Sequence, residues 1–384
     1  MLSRRHLLAS LPPVAAGLAR AAKNSSGTGH YIAYVGTYTG PESKGIQAFR
    51  WDAGPAKIDQ LGLVGEVVNP SFLAIHPNRK YLYSVSELGD HGAPKSSATA
   101  FSIDSKTGML TTLNTVPSRG GGACHLVVDA TGKNLLIANY GSGSVASIRV
   151  EPDGRLGEST AFDQHSGSSV DKERQEGPHA HAVVLSPDNR FLFVPDLGLD
   201  KILIYRFDAD KGTLEANDPP YGVVPPGAGP RHFAFHRSAR FAYSVNEMGS
   251  SVTAFRYDAK QGGLTPIETV STLPKDFTGK DDSAEIEMDA AGKFLYASNR
   301  GHDSITAFAI NPGKGTLTTV QNVSTEGKAP RNFRIDPSGN YLFAEDQDSN
   351  KVVLFKRNKG SGRMTPTGQT FEMHKPVCIQ FLAV

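Results

Sequence analysis

The chain has 384 residues, 40 of them glycine and 24 proline, with 20% charged residues and a formal net charge of +2. This composition fits a soluble, turn-rich globular protein and excludes a disordered one. The chain is long enough for one large or two ordinary domains, and no Lys/Arg cluster leaves the footprint of a nucleic-acid binder.

The first segment, residues 1–22, is read as an export signal. Arg4 and Arg5 precede an apolar stretch from Leu7 to Leu18, and small residues follow at Ala19-Arg20-Ala21-Ala22. A charged start, a short apolar run and an A-x-A site form a cleavable signal, and the Ser3-Arg4-Arg5-His6-Leu7-Leu8 run resembles a twin-arginine one. Pro12-Pro13 and the shortness of the run argue against a membrane span. The expected mature chain, 23–384, is exported to the periplasm or the exterior, with no stable membrane insertion. Without Arg4, Arg5 and Arg20 it is close to neutral, so no electrostatic partner is implied.

From there a pattern recurs about every fifty residues, the period of a propeller or other repeat array. An apolar run reaches a turn that begins at His76, Asp129, Ser186, His236, Asp289 or Asp336, and a second apolar run follows each time. Two such runs joined by Pro/Asp/Asn/Gly chemistry predict a β-hairpin. A third strand follows in each copy, as in Ser144–Ile148, Lys201–Phe207, Ser251–Tyr257, Ser304–Ile310 and Asn350–Phe355, with earlier versions at Gly45–Phe49 and Ala98–Ile103. A Gly-x-Leu-like turn then leads to a weaker fourth strand, as at Gly212-Thr213-Leu214.

There are seven third strands for six hairpins. The missing hairpin is supplied by the two ends, Val377–Leu382 as an inner strand and Tyr31–Val35 beside it. Closing a ring in this way removes exposed sheet edges. The fold class is therefore all-β: a seven-bladed β-propeller of four-stranded antiparallel blades, forming a single domain over 23–384. Cys124 and Cys378 start apolar runs at equivalent points of different copies and read as buried free thiols. The long link Glu87–Ser97 is expected to be a loop beside the site, and the polar link Asp163–Glu176 another mobile loop, with Lys275–Asp282 playing a similar part before Ser283.

Antiparallel order sorts the polar residues by face. The hairpin turn lies on one face of the ring; the approach to the first strand and the exit from the second lie on the other. His76 and His236 fall in the turn and are read as structural. On the other face, five residues before each turn, stand Ser71, Cys124, His181, Arg231, Ala284 and Arg331. At the matching exits stand Glu87, Tyr140, Glu247 and Arg300, behind a series of Asn and Asp residues (Asn139, Asp196, Asn246, Asn299, Asp346) whose simplest role is to bond their own backbone. These ends are predicted to meet around one mouth of the central tunnel.

The charged set His179, His181, Arg231, Glu247 and Arg300 spans three consecutive blades. It suits an anionic ester or lactone: a histidine with a pKa near neutrality to deprotonate water, arginines to hold a carboxylate or phosphate and an oxyanion, and a glutamate to orient them. His179-x-His181 places two imidazoles on one side of a strand, but a metal needs further ligands. No metal and no cofactor is expected.

At these residues the chain resembles the lactonase-type seven-bladed propeller family. The matching stretches are Gly36–Thr39, Asn69–Pro77, Gly122–His125, Ile137–Val145, Gly177–His181, Val194–Gly198, Gly229–His236, Val245–Glu247 and Ser298–Ile305. The resemblance implies a metal-independent lactone hydrolase of the 6-phosphogluconolactonase kind, with muconate-type lactonising cyclisation as the alternative activity and a non-catalytic binding propeller as the alternative class. It carries the family's His, Arg, Glu and Arg onto His179 or His181, Arg231, Glu247 and Arg300, with His125, Glu285, Asn299 and Arg331 as further substrate contacts. His181 shares Arg231's place in the repeat, but the choice between the two histidines stays open. Phe343-Ala344-Glu345-Asp346 departs from the Ala-Asn-like strand end expected there. The implied partner is a small anionic or sugar lactone taken by a monomer; an exported enzyme would favour a non-phosphorylated aldonolactone or another extracytoplasmic lactone.

Overall fold

A computed structural model describes residues 29–89 and 95–384. The export signal and part of the 87–97 link lie outside the described residues. Seven four-stranded antiparallel sheets form the chain, and the only helical pieces described are two short 3-10 turns, Leu197–Leu199 and Gln347–Ser349. Numbered by their hairpin turns, blades 1 to 6 begin with inner strands Leu73–Ile75, Ala123–Val128, Val184–Leu185, Pro230–Phe235, Asp282–Met288 and Pro330–Ile335. Blade 7 is the composite: Pro376–Ala383 pairs antiparallel with His30–Thr37, from Tyr31 opposite Ala383 to Thr37 opposite Pro376. The ring is closed as the sequence predicts.

Alternation along each second strand sends side chains into both neighbouring blade interfaces. Phe241, Tyr243 and Val245 pack with Ile286, Leu295 and Phe308 of the next blade, and Tyr296 and Phe294 with Phe333, Leu342 and Phe355 of the one after. Each such aromatic contributes about 1.5–3 kcal/mol by leaving water. Three buried tyrosine hydroxyls are satisfied in one repeated way: Tyr83, Tyr243 and Tyr296 donate to the carbonyls of Gly154, Gly315 and Gly362 at 3.0, 3.0 and 2.9 Å.

The turn residues fix the hairpins. Asp129 Oδ1 accepts the Lys133 and Asn134 amides at 2.9 and 2.8 Å, and Asp289 Oδ1 those of Lys293 and Phe294. His76 and His236 accept an amide two residues on at Nδ1, and Nε2 donates to the carbonyl of Gly132 or Gly292, 2.9 Å away in the next blade. Both are structural turn residues. Cys124 and Cys378 are free and buried.

Glu345 is the anomaly of the core. It is fully buried, neither carboxyl oxygen has a hydrogen-bond partner among the described residues, and its equivalents are Val85, Ala138, Val245 and Ser298. Burial, reinforced by Glu285, pushes its pKa well above the usual carboxylate range, so it is held protonated. The unfolded chain ionises this group above its ordinary pKa, so the stability it allows is complete below about pH 4.5 and lost as pH rises toward the folded value. Glu345→Leu is expected to raise Tm at pH 8 by about 2–4 °C and to change it much less at pH 4, as followed by thermal melts.

Candidate active site

The site is built on a repeated irregularity of the inner strands. In blade 2, Ala123 pairs with Asn139 but His125 with Ala138; in blade 4, Pro230 pairs with Asn246 but His232 with Val245; in blade 6, Pro330 pairs with Asp346 but Asn332 with Glu345. The skipped residues are Cys124, Arg231 and Arg331. Blade 5 shifts register between Ser283 and Ile286, and in blade 3 an isolated bridge from Ala180 to Asp196 precedes His181. A β-bulge re-aims its extra side chain. In blades 2 to 6 an irregularity at one level thus re-aims the stretch that stands about five residues before the turn.

Glu247, at the exit of blade 4, is the centre of the resulting cluster. Its Oε2 accepts Arg231 Nε at 3.0 Å, forms an ion pair with Arg300 Nη2 at 2.8 Å, and lies 3.9 Å from His181 Nε2. Its Oε1 accepts Arg174 Nη2 at 2.6 Å. Burial alone would raise its pKa, but the guanidinium groups of Arg300, Arg231 and Arg174 prevail and hold it at about 2. Arg231 also donates from Nη1 to the Ala284 carbonyl at 2.8 Å, and Arg300 from Nε to the Asp282 carbonyl at 3.2 Å. Burial and the neighbouring Arg331 and Arg300 charges lower the Arg231 pKa to about 10, which leaves it cationic at neutral pH.

His181 is 5% exposed. Its Nδ1 lies 3.7 Å from Cys124 Sγ, and the thiol donates to the His181 carbonyl at 3.2 Å. Burial, then Arg231, His232 and Arg331, push its pKa well below the usual imidazole range, so it is neutral at pH 7. The sequence-based expectation of a histidine titrating near neutrality fails here: burial among cations removes the charged form. His179 is placed differently. Its Nδ1 donates to the Tyr140 carbonyl at 3.0 Å, its ring stacks on Tyr140 at 4.6 Å, and its Nε2 lies 3.6 Å from Glu176.

The backbone of His179 is held from behind. Asp196 Oδ1 accepts the His179 amide at 2.7 Å and that of Gly198 at 3.1 Å, while Oδ2 meets His165 Nδ1 at 2.6 Å. A Cβ on Gly198 would fall 1.8 Å from the Gly177 carbonyl oxygen, so only glycine allows the two strand ends this close. Asp196 is thus more than a local turn residue. Asp196→Asn keeps the Oδ1 acceptor but weakens the His165 pair, and is expected to lower kcat/KM about tenfold through misplacement of the 178–181 segment. Asp196→Ala should lose more, and its Tm with it; steady-state kinetics with thermal melts measure both.

Deeper in the tunnel a hydrogen-bonded chain leaves the cluster. Arg231 Nη1 donates to His232 Nε2 at 3.3 Å, His232 Nδ1 donates to Glu285 Oε1 at 3.0 Å, and Glu285 Oε2 accepts from Asn332. His125 packs on Phe72 and His232 at 4.0 and 5.1 Å between ring centres. His125 and Glu285 line a cavity of about 480 Å³ with Phe72, His232, Arg334 and Gln380, which extends to turn residues of the opposite face such as Ala130 and Ser186. They lie below the Glu247 cluster. Asn299 is a correction. It is fully buried, and its amide nitrogen bonds the Thr272 carbonyl and the Ser304 hydroxyl at 3.1 Å each, while its oxygen accepts from Ser283 at 2.9 Å. No donor is left for a substrate; it ties two strand ends together, as Asn139 and Asn246 do through Ser144 and Ser251. Among the described residues no three His, Cys, Asp or Glu side chains converge to hold a metal ion.

The family described as "Lactonase, 7-bladed beta-propeller" matches residues 32–381. This chain belongs to the lactonase family. A Bacillus subtilis protein named 6-phosphogluconolactonase is 37% identical over 352 residues, 92% of this chain and 98% of its own. A Formosa agariphila protein of the same name is 36% identical over 79% of this chain and 85% of its own. Among solved structures, a Pseudomonas aeruginosa protein described as a periplasmic gluconolactonase matches with a TM-score of 0.87 at 35% identity, over 92% of this chain and 99% of that one.

Three features of this lactonase site escaped the sequence reading. Arg174 comes from the 163–176 link, expected to be a mobile loop; instead Asp171 Oδ1 accepts the Glu173 and Arg174 amides at 2.9 Å, Gln175 Nε2 donates to the Leu197 carbonyl at 2.9 Å, and Gln175 is fully buried. An Asp three residues before an Arg was the available signal. His232 stands one residue past the bulge, a register position at which His125, Glu285 and Asn332 also carry polar groups. Tyr38, at the end of the blade 7 strand, donates to Glu87 Oε2 at 2.9 Å, and Arg331 lies 5.4 Å over its ring.

Proposed function

We propose that this lactonase opens a sugar lactone of the gluconolactone type by general-base hydrolysis in the Glu247 cluster. The observation that carries this reading is the convergence of Arg231, Arg300 and His181 on one carboxylate oxygen. A neutral His181, with its Nδ1 proton assigned toward the Cys124 sulfur, offers the Nε2 lone pair to a water. As the water oxygen attacks the lactone carbonyl carbon, its proton passes to Nε2, and the imidazolium gains the Glu247 carboxylate at its side. Arg231 Nη2 and Arg300 Nη1, which carry no hydrogen bond among the described residues, are the donors for the oxyanion. Collapse breaks the ring C–O bond, and the imidazolium returns its proton to the leaving alkoxide, giving the open hydroxy acid. Glu247 stays ionised throughout.

The names of the Bacillus and Pseudomonas relatives support the gluconolactone class. The Pseudomonas protein's description as periplasmic also agrees with the export signal read over residues 1–22, and we place the enzyme outside the cytoplasm. Purified protein should accelerate the opening of glucono-δ-lactone or its 6-phosphate well above the spontaneous rate in a pH-stat; no acceleration with either excludes this substrate class. A secreted reporter fused after residue 22 tests the export.

A further inference from the structure

We propose that Arg331 is the specificity residue of this mouth, gripping an anionic substituent of the substrate, a phosphoryl or carboxylate group remote from the lactone ester. The inference rests on the lactonase reading above.

Four guanidinium groups surround the cluster, and three of them are held by Glu247: Arg174 at 2.6 Å, Arg231 at 3.0 Å and Arg300 at 2.8 Å. Arg231 and Arg300 carry further bonds to backbone carbonyls. Only single terminal nitrogens remain on them, enough for an oxyanion but not for a two-pronged grip. This displaces the expectation that they hold the substrate's anionic group.

Arg331 differs. It has no hydrogen bond or ion pair among the described residues, and its guanidinium carbon lies 5.4 Å over the Tyr38 ring centre. A guanidinium stacked on a ring is oriented while its in-plane N–H edge stays available for bidentate contact with carboxylate or phosphate. The Tyr38 ring is itself fixed by its hydroxyl bond to Glu87 Oε2 at 2.9 Å. Burial would weaken the charge on Arg331, but Tyr38, Glu87 and Glu247 outweigh it and raise its pKa, so the cation persists. Arg331 is the bulged residue of blade 6, the counterpart of Arg231 in blade 4. It therefore stands at the same level of the tunnel, two blades further round, and within electrostatic reach of both His181 and Glu247. A half-buried, pre-oriented cation beside the catalytic cluster, with its donors unused among the described residues, is a receptor for an anion.

The test compares glucono-δ-lactone, its 6-phosphate and a lactone of glucaric acid on wild type, Arg331→Gln and Arg331→Lys. Arg331→Gln is expected to raise KM for one or both anionic lactones about 10–100-fold, and to lower their kcat/KM relative to that of glucono-δ-lactone by a similar factor. Arg331→Lys should recover part of the loss, and which anionic lactone suffers more identifies the group recognised. Equal loss on all three lactones, or none on any, overturns the proposal. Should wild type turn over no lactone, the hydrolytic reading falls separately. Arg331 is then judged by calorimetric binding of 6-phosphogluconate and glucarate: binding by wild type that is lost in Arg331→Gln sustains it, and no binding or equal binding overturns it.

Discussion

Replacing Glu247 with glutamine is expected to lower kcat/KM for the preferred lactone by about a thousandfold, and Glu247→Ala to cost about 3–5 kcal/mol of stability as well. The reason is electrostatic. This one carboxylate answers Arg174, Arg231 and Arg300 and stands by His181, so its loss leaves buried like charges facing one another without a counter-ion. An amide can still accept from one guanidinium but cannot neutralise three, nor favour an imidazolium at His181. Glu247 is held at about 2, below its unfolded value. Its contribution is therefore complete above about pH 4.5 and declines as pH falls toward 2. Urea denaturation of wild type and Glu247→Gln at pH 7 and pH 3 measures this: the gap between them should narrow in acid, and a gap independent of pH would count against the ion-pair account.

His181→Ala should lower kcat about 10²–10⁴-fold, the usual range for loss of a positioned base, with partial rescue by added imidazole. His179→Ala should act mainly on KM, because that ring is bonded to the Tyr140 carbonyl and stacked on its side chain. The catalytically competent form of His181 is the neutral one, and its pKa is pushed well down. The acid limb of kcat/KM should then lie well below pH 6, leaving the profile flat from pH 6 to 8. A limb near 6.5 that survives in His179→Ala would remove His181 from the role of base. Stability has the same sign. His125, His181 and His232 are all held neutral by burial, so the unfolded chain takes up protons that the folded one refuses, and stability should fall as pH drops below about 6.5.

The repeat made the architecture readable from residues alone. Turn chemistry at Asp129, Ser186 and Asp289 located the hairpins, and the surplus third strand forced the two ends into one blade. The same register put His181, Arg231 and Arg331 on one level, and antiparallel order put Glu247 and Arg300 beside them. What could not be read is what depends on side-chain reach across blades. Glu247 gathers three arginines, one from a link some seventy residues earlier in the chain, and no local pattern encodes that. The lowered pKa of His181 follows first from its burial between blades, then from cations supplied by blades 4 and 6. Asn299 looked like a rim residue because strand-end position is visible in sequence while the hydroxyls that occupy it, on Ser283 and Ser304, are not.

The strand pair that closes the ring has a consequence for synthesis. Tyr31 opposes Ala383 and Gly36 opposes Cys378, so the strand His30–Thr37 waits through more than three hundred residues of chain before it gains its inner neighbour. Joining segments so distant in sequence is entropically costly and slow. Until it happens, blades 1 and 6 each face an unfilled gap and the tunnel has no continuous wall. A polypeptide still emerging from the ribosome could hold every catalytic side chain and yet have no catalytic centre. Activity is thus withheld until Pro376–Ala383 has been made and has docked beside His30–Thr37.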